Sequence, residues 1–192
     1  MDDNKLQQTP SQTIGPFFAY SLTAQQYGYN FNSIVNGSLI IDSAEGEQIF
    51  ITGNIFDGEG NAIHDAMIEL WQADANGNYQ NQFKTDGFKG FGRLGTGTEE
   101  DKSFTFKTIK PGSINNQAPH INVILFMRGS LHVLYTRIYF NDELNDHDPI
   151  LVSVEPQRRD TLIAKRTEKE GKIFYHFDIH MQGEKETVFF DI

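Results

Sequence analysis

Four stretches of this 192-residue chain carry side chains whose types and spacing could do chemistry. In His176-Phe177-Asp178-Ile179-His180, two imidazoles and a carboxylate alternate, which puts all three on one face of a strand. Alternate strand residues stand ~6.7 Å apart, so the outer pair is ~13 Å apart, whereas zinc–ligand bonds are only ~2 Å long. One ion could take two of the three if another element supplied the rest, and the plainer reading is a solvated strand face. Asp74-Ala75-Asn76-Gly77-Asn78 opens like a calcium loop. Its glycine stands fourth instead of sixth, and Thr85 occupies the twelfth position where a bidentate Glu belongs, so calcium is rejected. His120-Ile121-Asn122 places an imidazole and an amide on one strand face. A second histidine would make a strong metal half-site, but an amide is a poor ligand for a transition metal. Arg128, in Arg128-Gly129-Ser130, stands between two apolar runs. It is either a solvated turn arginine or a group aimed at an anion. His64, His132 and His147 are isolated and read as structural or surface residues. The sequence holds no G-x-S-x-G elbow, no phosphate-binding glycine loop and no H-E-x-x-H.

The elements that must position these residues are strands. Ala118 to Phe140 reads as two long strands joined by the Arg128 turn. Val123 to Met127 is an apolar run that suits a strand buried on both faces. Ile49, Ile51, Gly53 and Ile55 alternate with Phe50, Thr52, Asn54 and Phe56. After the turn cluster Asp57 to Asn61, Met67, Glu69 and Trp71 alternate with Ala66, Ile68 and Leu70, and the two runs are expected to pair as a hairpin. Residues 81 to 103 read as a long surface loop pinned by Phe83, Phe88 and Phe91. Phe104 to Ile109 is a strand stopped by Pro111-Gly112. Pro156 to Arg166 is the best helix candidate. Ile173 to Met181 alternates strictly, and Thr187 to Ile192 is expected to close a last hairpin. Some eight short strands with little helix point to an all-β sandwich or barrel. The organisation expected is one domain over residues 1–192, in which residues 1–18, with TPSQTIGPFF, form an extended N-terminal arm.

Composition narrows the function. The net charge of -10 argues against nucleic acid and against an anionic membrane surface, so an anionic ligand would need a local positive group. The 16 phenylalanines supply a large core. With no cysteine, disulfides, thiolate metal sites and cysteine nucleophiles are excluded. MDDNKLQQTP lacks the features of a signal peptide, and no run approaches the ~18 apolar residues of a membrane span, so a cytoplasmic location is expected.

Several segments together resemble the intradiol ring-cleavage dioxygenases. They are TPSQTIGPFF (9–18), IELWQADANGNYQ (68–80), FGR (91–93), TIKPG (108–112), APHIN with the following FMRG (118–129), TRIYF (136–140), PQRRDTLIAKR (156–166) and GEKETVFF (183–190). The match runs nearly end to end and is closest to the two-chain members. It implies a β-sandwich and a ferric ion held by two tyrosines and two histidines in catalytic chains. The corresponding positions are Tyr79, Ile114, His120 and Asn122, so only Tyr79 and His120 keep their type. An arginine that the pattern places three residues before the first histidine is Gln117, and the stretch from Ile114 to His120 is short by a loop. These four positions are thus expected to be vestigial, with no catalytic residue and no metal ligand in this chain.

The resemblance further implies a related β chain that carries Fe(3+), with the active site at the boundary between the two chains. It assigns substrate contacts to Thr13, Gly15 and Pro16 of the arm and to Arg128. The implied reaction is cleavage of protocatechuate (3,4-dihydroxybenzoate) by dioxygen to 3-carboxy-cis,cis-muconate. Two other readings compete. One is a non-catalytic β-sandwich assembly module with no part in an active site. The other is a self-sufficient metalloenzyme built on His176, Asp178 and His180.

Overall fold

The computed structural model describes residues 17–41, 43–80 and 87–191. Thr13, Gly15 and Pro16 of the arm, and Phe83, lie outside the described residues. Alternation of apolar side chains becomes strand wherever one face can be buried. In β1 (Gln48–Gly53), Ile49, Ile51 and Gly53 are buried while Phe50 and Thr52 are half-buried. The strands that follow are β2 (Ile55–Phe56), β3 (Met67–Gln72), β4 (Phe91–Gly95), β5 (Phe104–Ile109), β6 (His120–Phe126) and β7 (Leu134–Phe140). After two short helical pieces come β8 (Ile163–Lys169), β9 (Lys172–His176) and β10 (Ile179–His180).

Eight strands run in the order β4-β3-β6-β7-β8-β9-β1-β5, and β10 pairs with β2. One apolar core joins Ile68, Leu70, Val123, Leu125 and Ile138 to Ile49, Ile51, Phe106 and Tyr175. The half made of β4-β3-β6-β7 therefore faces the half made of β8-β9-β1-β5, as in a sandwich. The hinge between the halves is thin: β7 and β8 share only Tyr139↔Ile163 and Phe140↔Ala164. Burying aromatic rings such as Phe106 and Phe140 completely stabilises the fold by roughly 1.5–3 kcal/mol each. Gly53 marks a close lateral approach of β1 to the chain leaving β9, since a Cβ there would lie 1.9 Å from the Phe177 carbonyl oxygen.

The all-β sandwich holds, and five local expectations do not. β1 and β3 do not pair as a hairpin. The turn at Asp57 to Asn61 forms, but the returning chain pairs only briefly, with Ile63 N donating to Ile55 O. It then crosses to the other layer, where β3 lies between β4 and β6. Within 81–103, Phe91–Gly95 is a strand and not loop, because its small and half-buried residues fit beside β3. Pro156 to Arg166 is not one helix: a 3-10 helix covers Pro156–Leu162, and the chain then becomes β8. No side chain caps its start, and after Leu162, which packs in a smaller cluster with Ala118, Tyr139, Leu151 and Val154, Ile163 and Ala164 pair with β7 and Lys165 onward with β9. Over 187–191 no hairpin forms. Thr187 N donates to His180 O and Phe190 N to Tyr135 O, so the tail ties β10 to β7. β6 is also less buried than its composition suggests. Ile121, Val123 and Leu125 are buried in the core, whereas Asn122, Ile124 and Phe126 are half-buried on the outer face. Among the described residues no helix is long and apolar enough to cross a membrane.

Candidate functional site

The outer face of β3, β6 and β7 collects the expected ligand positions. Antiparallel register sets Trp71 beside Asn122, Asn122 beside Arg137, and His120 beside Tyr139. Alternate residues share a strand face, so His120 and Asn122 point the same way. Tyr79 arrives from the loop after β3. Asp74 Oδ1 accepts from the backbone N–H groups of Asn76 and Asn78, both at 2.9 Å, and this turn swings the chain back over the sheet. The Tyr79 ring then packs on Trp71, with centroids 4.9 Å apart. Its phenol oxygen accepts a hydrogen bond from Asn122 Nδ2 at 2.8 Å.

His120 is 1% exposed. Its Nδ1–H donates to Ala118 O at 2.8 Å, which leaves Nε2 as the unprotonated nitrogen. Burial lowers its pKa, and the nearby Arg137 charge lowers it further against the Ala118 bond and Asp148. Burial raises the Tyr79 pKa, with Asn122 and Arg137 opposing, so the phenol keeps its proton. Arg137 Nη1 donates to Gln117 Oε1 at 2.8 Å and lies 3.4 Å from Tyr139 Oη. Tyr139 in turn donates to the buried Asp148 Oδ1 at 3.0 Å. Asp148 also caps the short helix α2 (Pro149–Ser153) and takes the Ala118 N–H at 2.9 Å. Ile114 and Gln117 close a tight two-residue turn through reciprocal backbone bonds, with Asn115 at φ +53°. That turn replaces the longer stretch that the sequence comparison leads one to expect.

These residues do not fit a ferric ion. A hard trivalent ion needs anionic oxygen donors, and here the one phenol at a ligand position, Tyr79, is hydrogen-bonded to an amide. Asn122 offers that amide in place of an imidazole, and Ile114 offers no donor at all. Among the described residues no group of three His, Cys, Asp or Glu side chains converges as a metal would require.

Arg128 sits in a turn with Gly129 at φ +85°, the left-handed region that glycine enters readily. Its side chain is 58% exposed, and Nε lies 2.6 Å from the nearly buried Asp65 Oδ2. Asp65 Oδ2 has no hydrogen-bond partner of proper alignment, so this contact is an ion pair that leaves the guanidinium terminus open. The residue lines a cleft with Asp57, Ile63, Met127, Met181 and Gln182. His176, Asp178 and His180 share a different open cleft. His176 Nε2 meets Asp178 Oδ2 at 3.0 Å, and His180 stacks on Phe56, so each imidazole has its own neighbour. Sequence reasoning missed Arg137, Tyr139 and Asp148. Arg137 carried a signal: it is a charge inside the apolar strand segment TRIYF.

The two facing half-sheets, with eroded ligand positions on one outer face, define a chain built like an iron dioxygenase of the intradiol type. A family model described as Dioxygenase matches residues 26–124. The chain belongs to the intradiol dioxygenase family. It is 47% identical to the protocatechuate 3,4-dioxygenase alpha chain of Burkholderia cepacia, covering 97% of this chain and 98% of the relative. The beta chain of the same organism's enzyme is 33% identical, over 81% of this chain and 71% of that one. Among solved structures, the dioxygenase domain of a carbohydrate-binding fusion protein from Streptomyces sp. SirexAA-E matches with a TM-score of 0.61 at 22% identity. That match covers 94% of this chain and 100% of the other, and it speaks for the fold.

Proposed function

We propose that this chain is the alpha subunit of a protocatechuate 3,4-dioxygenase, a single domain that completes a site whose Fe(3+) is held by a related beta subunit. The observation that carries this is 47% identity to an alpha chain over nearly the full length of both, joined to a ligand set that does not fit iron. The reaction supported is intradiol cleavage of protocatechuate by dioxygen to 3-carboxy-cis,cis-muconate. In this reading Arg128 offers a forked cation to the substrate carboxylate. Asp65 holds Nε at 2.6 Å, which orients the exposed end of the guanidinium. It is also the local positive group that a chain of net charge -10 needs to attract an anion. In the same reading Thr13, Gly15 and Pro16 of the arm shape the pocket beside the aromatic ring. The partners are the beta subunit, protocatechuate and dioxygen, and the location is cytoplasmic. The test is the iron content and visible spectrum of the chain purified alone and co-expressed with the beta chain. A colourless chain alone and a coloured, active complex are expected. Stoichiometric iron in the isolated chain would overturn the assignment.

A further inference from the structure

Arg128 stands at the end of a register that starts inside the sheet. β3 and β6 pair Met67 with Phe126 and Ile68 with Leu125. Carried two residues past the strand ends, that antiparallel register sets Asp65 opposite Arg128, and unlike charges so placed attract. The two partners are unequal: the Asp65 side chain is 9% exposed and that of Arg128 58%. A buried carboxylate left without its cation is costly, so Asp65 holds the arginine through Nε. The segment before β1 walls Asp65 off from water. Gln26 clamps the edge of β4, where its Nε2 donates to Gly95 O and its Oε1 accepts from Gly95 N, both at 2.8 Å. The Tyr27 phenol then lies over Gly95 and Gly97, since a Cβ at these positions would stand 2.5 and 2.9 Å from Oη. Asp65 is close to that phenol: burial raises the Tyr27 pKa, the Gly97 N–H opposes it, and Tyr20 and the Asp65 charge raise it further. Asp57, the other carboxylate of the Arg128 cleft, is taken up by its own turn, accepting from Glu59 N at 2.9 Å and Asn61 N at 2.8 Å.

We infer that Asp65, walled by Tyr27, is a specificity-determining residue: by fixing Arg128 through Nε it turns the terminal nitrogens toward a ring-borne carboxylate, and so sets the preference for a carboxylated catechol over a plain one. The inference rests on the reading of Arg128 as a substrate contact and adds the residues that give this contact its selectivity. Asp65 and Tyr27 are positioning residues that act through Arg128. Two effects of the Asp65 carboxylate oppose each other. Its negative charge repels a bound anion, but the cleft is open and salt screens that repulsion. A free arginine must instead be ordered in each binding event, at a cost of about 3- to 10-fold in affinity. A guanidinium already held by Asp65 has that ordering done in advance, so positioning wins.

The test measures KM, kcat and iron content in the complex of this chain with its beta chain, with protocatechuate as substrate and catechol as competitive inhibitor. Asp65→Ala should raise KM for protocatechuate about 3- to 10-fold, while kcat, iron content and the inhibition constant of catechol, which has no carboxylate, stay within about 2-fold. Tyr27→Leu should raise the same KM by at least about 2-fold. Asp65→Ala combined with Arg128→Ala should be no worse than Arg128→Ala alone, because the two act as one unit. An unchanged or lowered KM in Asp65→Ala, beside a raised KM in Arg128→Ala, overturns the inference alone. So does an equal loss of affinity for catechol, additivity in the double variant, or an unchanged KM in Tyr27→Leu. An unchanged KM in Arg128→Ala overturns the reading of that arginine and the inference with it. Should Asp65→Ala fail to fold or assemble, the isosteric Asp65→Asn must still raise KM at least about 2-fold. An unchanged value in that variant overturns the inference as well.

Discussion

Replacing Asp148 with Ala should unfold this protein more readily than almost any other single change outside the apolar core. The side chain is 1% exposed and serves three elements at once. Oδ1 accepts from Ile150 N and Leu151 N at 2.9 Å, capping α2, and from Tyr139 Oη at 3.0 Å. Oδ2 accepts from Ala118 N at 2.9 Å, two residues before His120. Losing an N-cap costs about 1 kcal/mol. Leaving the buried Tyr139 hydroxyl and the Ala118 N–H without partners costs roughly 1–3 kcal/mol each. The contributions overlap, so about 3–5 kcal/mol is expected in total. For a chain of this size each kcal/mol moves Tm by roughly 2–4 °C, which gives a fall of about 6–20 °C. Asp148→Asn keeps one acceptor oxygen and should lose about half as much. The assay is thermal unfolding followed by circular dichroism, with Tyr139→Phe and the double variant measured beside it. A fall below about 2 °C for Asp148→Ala would refute the reasoning. So would strict additivity of Asp148→Ala and Tyr139→Phe, because contacting partners must couple.

Other changes give independent checks. Arg128→Ala in the assembled enzyme should raise KM for protocatechuate about 10- to 100-fold, as loss of a charge-assisted hydrogen bond implies, while iron content stays constant; an unchanged KM argues against the role given to this arginine. Gly53→Ala should lower Tm sharply or prevent folding, because the added Cβ would meet the Phe177 carbonyl oxygen at 1.9 Å; a wild-type melting curve would contradict the packing described. His120 has a folded pKa below its ordinary 6.5, chiefly through burial. The unfolded chain therefore binds the proton more readily, so the stability tied to neutral His120 is complete above pH 6.5 and is lost as pH falls below it. Urea titrations at several pH values should show this slope, and His120→Gln should flatten it.

The strands were legible because period-two burial leaves its mark directly in sequence, as in Ile49, Ile51 and Gly53 or Tyr175, Phe177 and Ile179. Which strands pair was less so. The expected partnership of β1 with β3 followed from a short connection, but across that turn only the bridge Phe56↔Ala62 and the bond from Ile63 N to Ile55 O form before the chain changes layer, and Ile55–Phe56 pair with β10 instead. Pro156 to Arg166 misled for a related reason. Its Pro start and charged residues suit a helix, and only the later pairing of Lys165 and Arg166 with β9 shows why it ends at Leu162.

The candidate site divides along the same line. Tyr79, His120 and Asn122 are assigned through the resemblance; Tyr79 meets Asn122, and His120 shares the strand face of Asn122. Arg137 lies 15 or more residues from each of them, so local spacing could not join it to the group. It becomes visible only through the β6–β7 register, which sets 122 against 137 and 120 against 139. The same register explains Gln117. An arginine is expected there, and the structure brings a guanidinium to Gln117 from the neighbouring strand instead. Variants at Gln117 should therefore disturb Arg137 first: Gln117→Leu removes the acceptor at 2.8 Å and leaves the guanidinium with Tyr139 Oη at 3.4 Å. Leaving that half-buried donor without its acceptor should cost roughly 1 kcal/mol, a fall of about 2–4 °C in Tm by circular dichroism. An unchanged Tm would show that the glutamine does not hold the guanidinium.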